Sequence, residues 1–213
     1  MKVDHDLIRN RFEQATVKLP RVDGQGVYVG DGLILTAAHC LDFHTGGDMT
    51  LAPKSNQEMV RTLDGREFQV GVYAVEPVSD IAVLGKTMVE EDEENMSLFE
   101  AFCEATTPLE ICPEAFFEKR EPPEDEKFGV HIYTHENEIK SGQAVLCRRG
   151  TETLFLKEVT IEGGTSGGPI VNDACELVAI VSNGEMHQPI PCRALPVWAM
   201  KRLPPKPTSE STG

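Results

Sequence analysis

Three residues that lie far apart in the chain carry the side chains from which a reactive serine can be built. His39 stands in the run T-A-A-H-C, Asp80 in D-I-A-V-L and Ser166 in G-T-S-G-G-P. A serine hydroxyl becomes a strong nucleophile when an imidazole accepts its proton, and the imidazole needs a carboxylate that fixes its tautomer. These residue types therefore predict a nucleophile, a general base and an orienting carboxylate, if the fold brings them together.

The glycines on both sides of Ser166 suit the charge that such a nucleophile creates. Attack on a carbonyl group puts negative charge on its oxygen, and fixed backbone N–H groups stabilise that charge. The N–H groups of Gly164 and Ser166 are the candidate donors of this oxyanion hole. Glycine at 163, 164, 167 and 168 permits the left-handed backbone that aims two N–H groups at one point.

One amphipathic helix is predicted near the start of the chain, over residues 6–15. Its apolar residues recur three or four positions apart, at Leu7, Ile8, Phe12 and Ala15. Asp4 or Asp6 supplies the N-terminal cap. We expect this helix to pack across the outside of the strands that follow.

The other elements that must position the reactive groups are short strands. Two hairpins are predicted before residue 86, one from 25–29 and 33–36 and one from 59–63 and 68–75. Strand signals resume at 130–133, 143–147, 153–157, 169–171, 177–182 and 190–195, and a short helix follows at 197–203. Many short strands in two blocks predict an all-β fold of two paired antiparallel barrels with short N- and C-terminal helices.

A segment of different composition separates the two blocks of strands. It holds the acidic run 90–94 and a short predicted helix over 97–104. The acidic run is interpreted as a solvated loop, with docking of a basic partner or guarding of a cleft as alternatives. The predicted organisation is an N-terminal helix and first barrel with His39 and Asp80 (1–88), an acidic bridge (89–127), a second barrel with Ser166 and a C-terminal helix (128–203), and a disordered tail (204–213).

Composition excludes several classes of function. The 213 residues include 20 basic and 35 acidic side chains, a formal net charge of −15, which disfavours binding to nucleic acid or an anionic membrane. No apolar run approaches the roughly 18 residues of a membrane-spanning helix, and the N-terminus lacks the pattern of a secretory signal. The six cysteines form no C-x-x-C motif. We therefore expect free thiols and a cytoplasmic location.

Together and in this order, the three motifs resemble the catalytic signatures of the trypsin-like (chymotrypsin-fold) serine proteases, over about residues 16 to 200. The resemblance implies two six-stranded barrels with the active site between them, His39 and Asp80 on the first and Ser166 on the second. It implies a serine endopeptidase that acts on an extended polypeptide through an acyl-enzyme. No cofactor or metal is expected, and a regulatory protein partner is left open.

The chain departs from the secreted digestive members of that family at two positions. Thr165 replaces the aspartate that pairs with a new N-terminal ammonium after zymogen cleavage. We therefore expect other contacts to order the oxyanion loop, as in bacterial and viral relatives. Cys40 lacks the cysteine that bridges it in extracellular members, since none occurs in residues 20–35. Both departures favour the intracellular type.

The resemblance also suggests where a substrate would bind. The primary pocket is expected at Thr160 and at the later segment of Ser182 and Gly184. Because Thr160 is neutral, a small or uncharged P1 side chain is favoured over lysine or arginine, although Glu162 and Glu185 are near in sequence. Ser182 and Gly184 would bind an extended substrate through their backbones.

Three further interpretations complete the hypothesis. The alternative function is a catalytically silent or partner-activated module that holds extended peptides in the same cleft. His131 and His135 lie four residues apart and are interpreted as surface residues of one strand rather than metal ligands. Activity is expected to rise through the ordinary histidine pKa near 6.5, because the general base must be neutral.

Overall fold

The computed structural model describes residues 3–41, 57–76, 80–87, 93–113, 127–147, 153–157, 159–182 and 191–194. Two α-helices, α1 (His5–Ala15) and α2 (Glu93–Ala105), and one 3-10 helix (Ala38–Leu41) accompany twelve strands. The strands are β1 (Thr16–Leu19), β2 (Gly24–Gly30), β3 (Leu33–Ala37), β4 (Gln57–Thr62), β5 (Glu67–Glu76), β6 (Ile81–Gly85), β7 (Lys127–Tyr133), β8 (Ile139–Cys147), β9 (Thr153–Lys157), β10 (Pro169–Asn172), β11 (Leu177–Ile180) and β12 (Pro191–Ala194).

The first six strands close into an antiparallel barrel in the order β1-β2-β3-β6-β5-β4. Both predicted hairpins are present, β2 with β3 and β4 with β5. Pairing of β1 with β4 completes the ring. Alternate side chains of these strands, among them Val27, Leu35 and Phe68, are buried in one apolar core. Since β3 also pairs with β6, the ends of these two strands lie together at one rim of the barrel.

The last six strands form a second closed antiparallel barrel in the order β10-β11-β12-β9-β8-β7. Its own core includes Val130, Ile132 and Ile170, which alternate with residues on the outer face of their strands. The prediction of an all-β double barrel is confirmed. The expected C-terminal helix at 197–203 and the tail lie outside the described residues.

Helix α1 packs against both barrels. The Asp4 side chain accepts a hydrogen bond from the Leu7 N–H at 3.0 Å, so that Asp4 is the N-cap. The ring of Phe12 packs 5.3 Å from that of Tyr133 on β7. Ile8, Phe12 and Ala15 are buried as expected, but Leu7 is 45% exposed. The prediction for Leu7 was wrong, because an amphipathic helix turns one side toward solvent at each turn.

Helix α2 begins earlier than the sequence suggests. It starts at Glu93 rather than near residue 97, so that part of the acidic run is helical rather than loop. Glutamates in the first turn of a helix are stabilised by its dipole. The side-chain amide of Asn95 exchanges two hydrogen bonds with the backbone of Gln69, which fastens the helix to β5. Neither described helix is long and apolar enough to cross a membrane.

Candidate active site

The pairing of β3 with β6 brings His39 to Asp80. Ala37 is opposite Ile81, so the residues just beyond these positions, in the 3-10 helix and before β6, lie side by side. His39 Nδ1 is 2.8 Å from Asp80 Oδ2, and the His39 backbone N–H donates to Asp80 Oδ1 at 2.9 Å. The carboxylate thus holds both the ring and the backbone of the histidine. An N–H on Nδ1 that donates to Asp80 leaves the Nε2 lone pair free to accept a proton.

A serine of the second barrel completes the surroundings of Asp80. Ser182 follows β11, is buried, and donates its hydroxyl to Asp80 Oδ2 at 2.7 Å. The contact ties the two barrels together at the carboxylate. The sequence marks Ser182 only as a backbone contact for substrate, which stays a prediction. No local signal could have revealed its side-chain bond, which spans 102 positions of the chain.

These contacts change the acidity of the imidazole. The hydrogen bond with Asp80, followed by one with Cys40, raises the pKa of His39 from its ordinary 6.5 to about 10, and partial burial of the ring opposes this shift. An anion beside an imidazolium stabilises the charged form. The pH at which His39 becomes a neutral base is therefore expected to lie above the ordinary histidine range.

The backbone of Ser166 lies beside the same region. Its carbonyl oxygen accepts a hydrogen bond from the Gln25 N–H at 2.7 Å and lies 3.8 Å from Cys40 Sγ, next in sequence to His39. Among the described residues, however, the hydroxyl of Ser166 has no hydrogen bond with Nε2 of His39. The structure thus joins His39 to Asp80 and brings the backbone of Ser166 next to them.

The loop around Ser166 adopts the backbone that its glycines permit. Gly164 and Gly167 have φ angles of 82° and 79°. The Gly167 N–H donates to the carbonyl of Val181 at 2.7 Å, and the Gly168 N–H donates to that of Thr165 at 2.9 Å. In contrast, the N–H groups of Gly164 and Ser166 donate to no acceptor within the described ranges. They are the two groups that the sequence assigns to the oxyanion hole.

The description "trypsin-like peptidase domain" belongs to a family model that matches residues 24–180 of the chain, well over half of it. The chain belongs to the trypsin-like peptidase family. No curated protein sequence matches it.

Two of the solved structures that share the fold of this chain are bacterial proteins. A serine endoprotease from Yersinia pestis is 19% identical with a TM-score of 0.57, over 94% of this chain and 65% of that protein. The inactive form of a serine-to-alanine mutant of Rv3671c from Mycobacterium tuberculosis H37Rv is 16% identical with a TM-score of 0.55, over 94% of this chain and 92% of that protein. The chain thus spans less than two thirds of the length of the Yersinia protein.

Only some of the expected specificity residues lie in the described part of the chain. Thr160 is exposed, and its carbonyl accepts a hydrogen bond from Lys140 Nζ at 3.3 Å. Lys140 also pairs with Glu162 at 2.8 Å, where the glutamate is half exposed and water weakens the attraction. Gly184 lies outside the described residues. The preference for a small or uncharged P1 side chain stays a prediction.

Neither histidine of the pair on the second barrel behaves as expected. His131 is 4% exposed, not a surface residue: its Nδ1 bonds Ser141 Oγ at 2.8 Å and its Nε2 bonds Asp173 Oδ1 at 3.1 Å. His135 lies beyond the end of β7 and contacts the loop of Ser166. No group of three or more His, Cys, Asp and Glu side chains within the described ranges could hold a metal ion.

Proposed function

We propose that the chain is a serine endopeptidase. Ser166 Oγ attacks the carbonyl carbon of the scissile peptide bond while His39 Nε2 takes its proton. The carbonyl oxygen, which becomes negative, accepts hydrogen bonds from the backbone N–H groups of Gly164 and Ser166. His39 then gives the proton to the leaving amine, the C–N bond breaks, and Ser166 is left as an ester. Water attacks this acyl-enzyme, again with His39 as base, and releases the new carboxyl end.

The observation that supports this proposal most is the pair of hydrogen bonds that Asp80 accepts, one from Ser182 and one from His39. Asp80 accepts from both neighbours through Oδ2, at 2.7 and 2.8 Å. Asp80 therefore holds the imidazole in one tautomer and one orientation. This is the role of the carboxylate in peptide hydrolysis by a serine nucleophile. The unused N–H groups of Gly164 and Ser166 add the place where negative charge can develop.

We propose an extended polypeptide as the substrate class. A polypeptide would bind in extended form between the barrels, beside Ser182. No cofactor or metal takes part in the proposed steps. Cys40, Cys103, Cys112 and Cys175 are free thiols, which supports the proposal of a cytoplasmic, reducing location.

A fluorophosphonate probe tests the proposed nucleophile directly. Such probes phosphonylate serines activated by a histidine. We expect labelling of the wild type and none of Ser166→Ala. Ser141→Ala is a matched control, since that serine also bonds a histidine, and its labelling should equal the wild type. Labelling that persists in Ser166→Ala and disappears in Ser141→Ala would refute the assignment.

One observation favours the alternative of a partner-activated peptidase. Among the described residues, Ser166 Oγ has no hydrogen bond with His39 Nε2, and catalytic hydrogen bonds of this kind often form only on binding. If a partner drives formation of this bond, purified wild type should resist the probe and become labelled when cell extract is added. Labelling of the purified protein at the same rate with and without extract would exclude the alternative.

A further inference from the structure

The loop of Ser166 needs an anchor that the neutral Thr165 cannot supply by charge. Thr165 is fully buried, and its Oγ1 accepts a hydrogen bond from the backbone N–H of His135 at 3.1 Å. The donor belongs to the turn between β7 and β8, which closes through the bond from the Thr134 N–H to the Glu138 carbonyl at 2.9 Å. The position before the nucleophile is therefore fixed by a turn of the second barrel.

The side chain of the same His135 packs against Gly164. A methyl group placed on Gly164 would lie 2.8 Å from both Cγ and Nδ1 of the imidazole. The ring thus occupies the space that a side chain would take at this position. His135 consequently touches Gly164, which carries one oxyanion donor, and bonds Thr165, the residue directly before the other donor.

The first barrel holds the turn of His135 in place. Lys18 Nζ donates to the His135 carbonyl at 2.9 Å, and Gln25 Nε2 donates to the Thr134 carbonyl at 3.1 Å. The backbone of Gln25 also binds the Ser166 carbonyl at 2.7 Å. The turn is therefore fastened to the neighbouring strands β1 and β2, and the loop of Ser166 is fastened to β2.

Packing dominates over charge at this contact. Asp23 Oδ1 lies 3.6 Å from His135 Nδ1, but the aspartate side chain is 77% exposed. Water and salt weaken attraction between groups that are this exposed. The His135 side chain is itself 42% exposed. Its close approach to Gly164 and the bond to the buried Thr165 are the stronger restraints.

We propose that His135 is a positioning residue of the oxyanion hole: its ring and backbone N–H hold Gly164 and Thr165, and thereby the two N–H donors, in the geometry that stabilises negative charge. The ring restrains Gly164 by packing directly against it. This inference rests on the proposed protease function and adds a residue that no catalytic motif marks. Loss of the ring should slow the chemical step and leave binding of the probe unchanged.

The test separates the rate of reaction from binding with the fluorophosphonate probe. In His135→Ala, we expect the maximal inactivation rate to fall by about 10- to 100-fold, the range expected when oxyanion donors are misplaced. The half-saturating probe concentration should stay within twofold of the wild type. His135→Phe, which keeps a flat ring, should restore most of the rate. Glu136→Ala, an exposed neighbour in the same turn, is the control and should react as the wild type does.

A second readout does not depend on activity. Amide hydrogen exchange at residues 164–166 should accelerate in His135→Ala, while the core strands exchange as before. An unchanged inactivation rate, or a loss that accompanies a fall in melting temperature and is not restored by phenylalanine, would overturn the inference. If the wild type does not react with the probe at all, the proposed function fails, and unchanged exchange at residues 164–166 would then separately refute the role of His135.

Discussion

Within the part of the chain that the structure describes, two sets of histidine, aspartate and serine lie close together, and in each the histidine shares a hydrogen bond with the aspartate. In the first set, His39 bonds Asp80 at 2.8 Å beside the loop of Ser166. In the second, His131 bonds Ser141 at 2.8 Å and Asp173 at 3.1 Å on the outer face of the second barrel. Judged by side chains alone, the second set is the more complete, because its serine is bonded to the histidine.

The surroundings of the two sets differ. His131 and Ser141 are opposite each other in the continuous pairing of β7 with β8, where the backbone N–H groups belong to strand pairing. Ser166 follows a glycine-rich loop in which two N–H groups have no acceptor among the described residues. Hydrolysis of an amide needs stabilisation of the oxyanion as well as a base. The comparison teaches that a bonded triad marks a site of chemistry only where donors for the developing charge accompany it.

The largest expected effect on kcat comes from replacing the aspartate of each set. Asp80→Asn should lower kcat by about 10⁴-fold, because the amide favours the wrong tautomer of His39. Asp173→Asn should stay within about threefold of the wild type. The measurement is hydrolysis of a peptide identified by profiling a peptide library. A larger loss in Asp173→Asn than in Asp80→Asn would reverse the assignment of the two sets.

The next largest effect concerns the pH dependence of activity, which the pKa of His39 controls. Because bonding to Asp80 raises this pKa to about 10, kcat/KM should increase with pH to about 10 rather than level off near 7. Titration of the imidazole by NMR should show the same midpoint, with a large fall in Asp80→Asn and a smaller one in Cys40→Ala, in the order of the causes. A midpoint near 6.5 in the wild type would contradict the contact.

The same shift predicts the pH dependence of stability. The folded pKa of His39 exceeds the unfolded value of 6.5, so that the stabilisation is fully present below pH 6.5 and disappears as pH rises to about 10. Denaturant unfolding of wild type and His39→Gln at pH 6 and pH 10.5 measures this. The difference between the two proteins should be larger at pH 6, and equal differences would refute the linkage.

The local part of this architecture is predictable from the sequence, and the contacts between barrels are not. Glycine and aspartate at residues 30–32 mark the β2–β3 hairpin, and the three motifs mark His39, Asp80 and Ser166. No strand is predicted at Thr16–Leu19, since no turn residue separates it from helix α1. The bond of Ser182 to Asp80 depends on how two closed barrels meet, which no local pattern encodes.

A smaller effect is expected from the serine that joins the barrels. Ser182→Ala removes one of the hydrogen bonds to Asp80 and should lower kcat by about 10-fold, which corresponds to ~1.4 kcal/mol. Ser141→Ala, which removes the hydroxyl that bonds His131 in the second set, is the control and should leave kcat unchanged. Equal losses in the two variants would mean that both act through general destabilisation of the fold.

The last prediction concerns the stability of the scaffold beside His39 rather than catalysis. A Cβ placed on Gly24 would lie 2.8 Å from Cys40 Sγ and 3.5 Å from Cys40 Cβ, and the backbone of Gly24 has no left-handed φ. Cβ atoms of a disulfide lie about 3.5–4.5 Å apart, so Gly24→Cys should form a disulfide with Cys40 under oxidising conditions and stabilise the fold by about 3 kcal/mol. A thiol count that finds no oxidation would show that β2 and the segment after His39 are farther apart in solution.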